Sequence, residues 1–316
     1  MSGRASLLAA TAAASLALAA CSNGAVDDAQ PAPTATAGTP VTSLAEIKGL
    51  WLVERFGDFT PGWQNGAGWR RSYVEVRKGG LAYAVGCNHS GNAASLGADG
   101  ILRDHSEQGG RLQTLMGCPP EQEQRDGRFF AFFGTNPQVT RMAPDRIRLA
   151  SSVGELVLVT PAAWRRANAP ALSEITGRWV PQSSTTYEGA GNRGSGFERD
   201  GAIIITEDSI DWTACAEAGV GGRWDKAAQF TVTRAPTGTC RMGEAFPGHD
   251  AGLILARILA AGPAVVRTGE HHITLIAGSD EVTLESEASV LNPPPLPPPP
   301  LPLPPGVPPP PPPPLR

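Results

Sequence analysis

The sequence predicts a mainly β (α+β) protein: two tandem small domains, each a curled antiparallel sheet or partly open barrel with one packed helix. Three observations carry that expectation: an internal repeat, short alternating strands with glycine-containing turns, and one stretch of helical periodicity per repeat. The repeat is read from spacing. Ile47-Lys-Gly-Leu-Trp51 resembles Ile175-Thr-Gly-Arg-Trp179, at an offset of 179 − 51 = 128, which Cys87 and Cys215 share. Near the end of each unit, Ile147-Arg-Leu149 resembles Ile273-Thr-Leu275 at an offset of 275 − 149 = 126. Pro137 and Pro263, Arg141 and Arg267, and Glu155 and Glu281 keep that second offset. An offset that drifts so little across a unit marks a tandem duplication.

The elements follow in order. The first twenty residues read as a signal peptide, with Arg4 ahead of an apolar run from Leu7 to Ala20. That run is short of the roughly 20 apolar residues that span a bilayer. It ends in Leu18-Ala19-Ala20-Cys21, the form of a bacterial lipobox, so Cys21 is the expected lipidation site. Ser22, rather than an aspartate, follows the cysteine, which favours sorting to the outer membrane. Residues 21–43 then read as the lipidated cysteine and a flexible linker rich in Ala, Pro and Thr. The first domain is expected over 44–162, the second, more divergent one over 172–287, and a proline-rich tail over 288–316. The tail, with Pro293 to Pro314 broken by few other residues, predicts an extended polyproline II rod.

Within the first domain, Tyr73 to Arg77 alternates, Lys78-Gly79-Gly80 turns, and Leu81 to Val85 alternates again. Ile147 to Leu149 and Leu156 to Val159 form a closing hairpin, repeated by Ile273 to Ile276 and Val282 to Leu284. Glu121 to Phe133 and Gly252 to Ala261 have helical spacing and stop short of Pro137 and Pro263. The two units disagree at one point. Cys87 shares a strand face with Leu81, Tyr83 and Val85, whereas Cys215 falls on the face opposite Ile210 and Trp212. A one-residue bulge is the expected reconciliation.

Composition excludes some functions. The chain of 316 residues carries a net charge of −4, so it lacks the basic field that holds phosphates, and nucleic acid is not an expected partner. With Cys21 taken by lipid, four of the 5 cysteines remain: Cys87, Cys118, Cys215 and Cys240. In an exported protein an even number favours disulfides, and counting alone leaves three pairings open.

Gly86-Cys87-Asn88, then Gly91, then Thr114-Leu115-Met116-Gly117-Cys118, resembles the META/HslJ-like domain family, whose opening strand carries a tryptophan, here Trp51. The resemblance covers the first domain throughout. Gly117 stands where the family prefers alanine, and Ala93 where an aromatic is common. The second domain keeps Trp179, both cysteines and the hairpin, but Ala216 replaces the asparagine and the Thr-x-Met element is absent. The resemblance implies a curled sheet with a helix against it, bridges Cys87–Cys118 and Cys215–Cys240, and no enzymatic activity. It also implies a bacterial envelope lipoprotein, in some members linked to stress. The expected partners are therefore a membrane, reached through the lipid anchor, and an envelope protein or ligand not yet known. The expected location is the cell envelope, at the outer membrane facing the periplasm. A lipid or small-molecule binding module in a partly open sheet is the alternative, and would need a cavity lined by residues such as Trp51, Val74 and Leu149.

No catalytic, cofactor or metal site is expected. Cys87 with His89 nearby lacks the further groups that activate a thiol. His271 and His272, adjacent on a strand, point to opposite faces and suit the surface better than one metal; His249 adds little. Glu121, Glu123 and Asp126 at the start of the helix read as partners of its dipole. Gly189, Gly191, Gly194 and Gly196 read as a mobile loop. Phe59, Trp63 and Trp69, in a glycine-rich loop, form the candidate binding surface, with folding back onto the sheet as the other reading.

Overall fold

Alternating side chains along a strand give each unit one apolar face, and the sheet curls until that face encloses a helix. The computed structural model describes residues 38–106, 112–188, 191–197, 201–238 and 251–293. The expected signal peptide, Cys21, Cys240, His249, Gly189 and the expected tail beyond Pro293 lie outside them. In the first unit the strands are β1 (Thr39–Pro40), β2 (Gly49–Phe56), β3 (Ser72–Arg77), β4 (Gly80–Val85), β5 (His89–Leu96), β6 (Leu102–Asp104), β7 (Leu112–Gln113), β8 (Gln138–Ala143), β9 (Arg146–Ser151) and β10 (Gly154–Val159). Helix α1 (Pro120–Phe133) lies between β7 and β8, and α2 (Pro161–Ala167) and α3 (Leu172–Ile175) lead to the second unit. There the strands are β11 (Gly177–Glu188), β12 (Gly191–Gly196), β13 (Ile203–Ile205), β14 (Ser209–Trp212), β15 (Val220–Trp224), β16 (Phe230–Arg234), β17 (Ala264–Arg267), β18 (His272–Ala277) and β19 (Asp280–Ser286). Helix α4 (Ala251–Ala261) precedes β17, and α5 (Glu287–Leu291) follows β19.

The two sheets share one topology. The order β8-β9-β10-β2-β3-β4-β5-β6 in the first is matched by β17-β18-β19-β11-β13-β14-β15-β16 in the second. Both also curl shut in the same way. Leu102 N donates to Pro137 O at 3.0 Å and Val139 N to Gly100 O at 2.8 Å, joining the β6 edge to β8. Their counterparts, Phe230 N to Pro263 O and Val265 N to Ala228 O, are each 2.9 Å. The turn before each closure needs a left-handed residue: Gly100 has φ 76°, and Ala228 accepts φ 50° at the equivalent place. Trp51 Nε1 donates to Ile47 O at 2.7 Å, and Trp179 Nε1 to Ile175 O at the same distance. Even the bulge is duplicated. Glu54 is skipped where β2 pairs with β10, and Gln182 where β11 pairs with β19.

Each barrel is filled by its helix. Phe129, Phe130, Phe132 and Phe133 of α1 are buried against Trp51, Val74, Tyr83 and Leu149. Tyr83 stacks on Phe133 with ring centroids 4.1 Å apart. In the second unit Ile254, Leu255, Ile258 and Leu259 of α4 meet Trp179, Ile203, Trp212 and Leu275. The described residues belong to one compact unit. Outer faces of the two sheets pack on each other through Leu52, Trp69, Val159, Trp164, Val266 and Ile276. Over this contact Glu281 is buried at 6 % exposure, ion-paired with Arg70 and bonded by Trp69 Nε1 at 3.1 Å. Arg70 in turn lies 4.0 Å over the Tyr187 ring. Burial raises Glu281 above the ordinary carboxylate range, with Arg70 and Trp69 opposing the rise.

Several expectations are corrected. Cys215 needs no bulge: β14 ends at Trp212, and Cys215 N bonds Trp212 O at 2.9 Å, so strand alternation has already stopped. The glycines from Gly191 to Gly196 form strand β12 on the extension of β11, from Glu188↔Gly191 to Ser183↔Gly196, rather than a mobile loop. The end of the expected linker is structured, because Thr39 and Pro40 pair with Arg141 and Thr140 of β8. The start of the expected tail belongs to α5, capped by the Ser286 hydroxyl accepting from Ser289 N at 3.4 Å. No helix among the described residues is long and apolar enough to cross a membrane.

Trp69→Ala should lower the stability of the whole body by about 3–5 kcal/mol in urea denaturation, because it empties the contact between the sheets and strips a bond from buried Glu281. A loss below about 1 kcal/mol would place that contact outside the cooperative fold.

Candidate functional site

The motif residues Gly86, Cys87, Asn88, Thr114, Met116 and Cys118 come together at one end of the first barrel, where β4 turns into β5 under the start of α1. Gly86 sits at φ 141°, a backbone conformation that demands glycine, and a Cβ there would displace the end of the Arg125 side chain, 2.5 Å away. Cys87 is bonded to Cys118, with Cα atoms 6.3 Å apart. Asn88, only 6 % exposed, joins the other strand of this clasp. Its Oδ1 accepts from Met116 N at 2.8 Å and from Thr114 Oγ1 at 3.1 Å, while its Nδ2 donates to Cys118 Sγ at 3.2 Å. Thr114 N donates to His89 O at 3.0 Å, and His89 N to Thr114 Oγ1 at 2.9 Å. Segment 114–118 has no regular structure of its own, so these bonds and the disulfide fix its path.

The clasp rests on two charged residues of α1. Asp126, 2 % exposed, accepts from Asn88 N through Oδ2 at 2.7 Å. Arg125 donates from Nε to Val85 O at 3.0 Å and lies 4.3 Å over the Phe59 ring. Burial pulls the Arg125 guanidinium below its ordinary range. Asp126 is therefore not the helix-dipole partner expected from sequence; it lies too far along α1 and faces inward. Glu121 and Glu123 do occupy the first turn, exposed. Arg125 joins the candidate site without having been singled out in the sequence, and Asp126 joins it in a role that its sequence position did not suggest. The signal was present, since Asp126 stands three and four residues before Phe129 and Phe130, within the apolar stripe of the helix.

Three large apolar side chains are exposed beside the clasp. Leu115 is 79 % exposed and Met116 48 %, on the segment that the disulfide and Asn88 hold against the barrel end, and Leu112, 83 % exposed, lies just before it on β7. Leu115 and Met116 are adjacent, and Leu112 precedes Leu115 by three residues.

The other expected sites are dispersed. Trp69 is buried between the sheets, 5.6 Å from Trp164. Phe59 packs against the first core beneath Arg125, and half-buried Trp63 lies 4.6 Å under Arg267. The three aromatics thus do not form one exposed patch. His89 Nδ1 is 3.1 Å from Tyr73 Oη, and burial lowers the pKa of the ring. His272 Nε2 stands 3.9 Å from Glu285 at the surface. Among the described residues the group with metal-ligand spacing is Cys87, Cys118 and Asp126, and both its sulfurs are spent in the disulfide. Cys215 is disulfide-bonded and 3 % exposed; its expected partner Cys240 lies outside the described residues. An open cleft of about 340 Å³ beside α2, lined by residues including Glu54, Thr60, Arg146 and Trp164, shares no residue with the clasp.

No family model matches the chain, and no curated protein matches it. Among solved structures, an NMR structure of a protein is 16% identical, covering 35% of this chain and 87% of its own, with a TM-score of 0.29. An NMR structure of a protein from Burkholderia xenovorans is 17% identical, covering 40% of this chain and 94% of its own, with a TM-score of 0.30. At those scores neither bears on fold or function.

Asn88→Ala should cost about 1–3 kcal/mol in urea denaturation, since it removes the acceptor for Met116 N and the donor to Cys118 Sγ. Limited proteolysis should at the same time begin to cut between Leu112 and Cys118. Unchanged cutting there would mean that the disulfide alone fixes the segment.

Proposed function

We propose that this chain is a non-catalytic cell-envelope lipoprotein that binds another envelope component through the clasped segment of its first, META/HslJ-like unit. One observation carries the reading: Leu115 and Met116 are held out to solvent on a segment stapled to a rigid barrel end, with Leu112 exposed just before it. Fixing apolar side chains before association lowers the entropy lost on binding, which is how small surfaces acquire affinity. The second unit has Ala216 in place of the clasping asparagine and packs its outer face on the first, so its part is that of a platform. Lipid on Cys21, after removal of residues 1–20, would tether this body to the membrane through the chain up to Gly38, with the outer membrane as the proposed site. Supporting envelope integrity under stress is consistent with such a tethered binding module. The ligand-binding alternative is weakened by the phenylalanines of α1, which occupy the space between Trp51, Val74 and Leu149.

The test is in-cell photocrosslinking of the full chain, with the photoreactive residue at Leu115 or, as a control, at Val153, which is 67 % exposed on the β9–β10 turn. A defined envelope component should crosslink from Leu115 and not from Val153. Met116→Glu should reduce its capture more than tenfold, as expected when charge enters a binding centre. Equal capture from both positions, or none from Leu115, would contradict the reading.

A further inference from the structure

We propose that the Cys87–Cys118 bridge is a thiol–disulfide exchange site, opened by an external dithiol while the barrel stays folded. The inference does not depend on the binding reading above. It rests on what surrounds the two sulfurs. A carboxylate oxygen of Asp126 lies within 4.8 Å of both. Asp126 is 2 % exposed, and with Oδ2 taken by Asn88 N its Oδ1 has no hydrogen-bond partner. A buried acceptor without a donor is unfavourable, and a disulfide offers it none. A thiol does, because S–H is a donor. Reduction thus places a donor beside the Asp126 carboxylate, which the disulfide does not offer.

The remaining groups order the two sulfurs. Both cysteines are half-buried, but Cys118 sits among exposed residues, from Leu112 to Gly117 on one side and Pro119 on the other, whereas Cys87 lies between buried Gly86 and Asn88. The incoming thiolate therefore attacks Cys118 Sγ. A mixed disulfide forms, the Cys87–Cys118 bond breaks, and its electron pair leaves on Cys87 Sγ. Cys87 takes up the proton that the incoming thiol lost, and as a thiol it is a donor within 4.8 Å of a carboxylate oxygen of Asp126. The second thiol of the dithiol, deprotonated, then attacks its own partner sulfur in the mixed disulfide, and Cys118 leaves as a thiolate. That thiolate is stabilised by Asn88 Nδ2, now 3.2 Å from Cys118 Sγ, and by the N-terminus of α1 two residues on. With the second proton taken up, the dithiol has become a disulfide and the bridge two thiols: two electrons and two protons transferred. Segment 114–118 remains tied by Asn88 and by the two bonds between His89 and Thr114, so opening the bridge need not unfold the unit.

Cys215 supplies an internal reference, since it is disulfide-bonded but only 3 % exposed within the second core. The experiment equilibrates the full chain with graded ratios of reduced to oxidised dithiothreitol, quenches with acid and alkylates. Mass analysis then reads Cys87 and Cys118 separately from Cys215, with far-ultraviolet circular dichroism on the same samples. Cys87–Cys118 should open reversibly at a dithiol ratio at least about tenfold lower than the bridge at Cys215, with the spectrum unchanged. Asp126→Asn, which keeps an acceptor for Asn88 N but turns an N–H toward the sulfurs, should raise the required ratio about tenfold. Opening of both bridges together, or of Cys87–Cys118 only as the spectrum collapses, would overturn the proposal. So would a folded D126N protein whose midpoint is unchanged or lower. Should D126N fail to fold, the contrast between the two bridges in the wild-type chain decides.

Discussion

A sheet that curls on itself must fill its own concave side, and in this protein the filling is a single helix per unit. Everything else depends on that. Among the described residues, the phenylalanines of α1 and the isoleucines and leucines of α4 pack against the sheets' apolar faces and fill the space between helix and strands. The cost of closure appears in the backbone, where Gly100 and Ala228 take left-handed conformations at matching places so that two edges can meet.

Duplication then gave two copies of one solution, and their differences show where each has been put to use. Glu155 and Glu281 are equivalent by spacing. Glu155 pairs with Arg55 at the surface, while Glu281 is buried between the sheets under Trp69 and Arg70. The same strand face is solvated in one unit and an interface in the other. At the barrel end the asymmetry runs the other way. The first unit holds a polar clasp of Asn88, Thr114 and Asp126 around its disulfide, and the second has Ala216 and a short 3-10 turn, Ala216–Ala218, after Cys215.

Much of this was legible in the sequence because it depends on periodicity. The hairpins ending in Val159 and Ser286, and helices α1 and α4, fall within a few residues of the expected places. Cys87 pairs with Cys118 as the family resemblance implied. What escaped depends on tertiary partners. Strand β12 is glycine-rich and gains its structure from backbone pairing to β11, which composition does not advertise. Trp69 looked like a loop aromatic because its partners, Trp164 and Glu281, lie far along the chain. Asp126 was read by its nearness to a helix start, although its place among the phenylalanines of α1 pointed inward. The face of Cys215 was argued from strand alternation beyond the point where the strand ends.

Both sheets curl around one helix each until the β6 and β8 ends meet in the first and the β16 and β17 ends in the second, and the fold depends on that closure. Amide hydrogen exchange at the closing bonds tests it most directly, through Leu102 and Val139 in the first unit and Phe230 and Val265 in the second. These amides should exchange at least about a thousandfold more slowly than in a free peptide, as slowly as those inside the β9–β10 and β18–β19 hairpins. Exchange at free-peptide rates in either set would mean that the barrel is open there, and that its interior, not its end, must be considered for function.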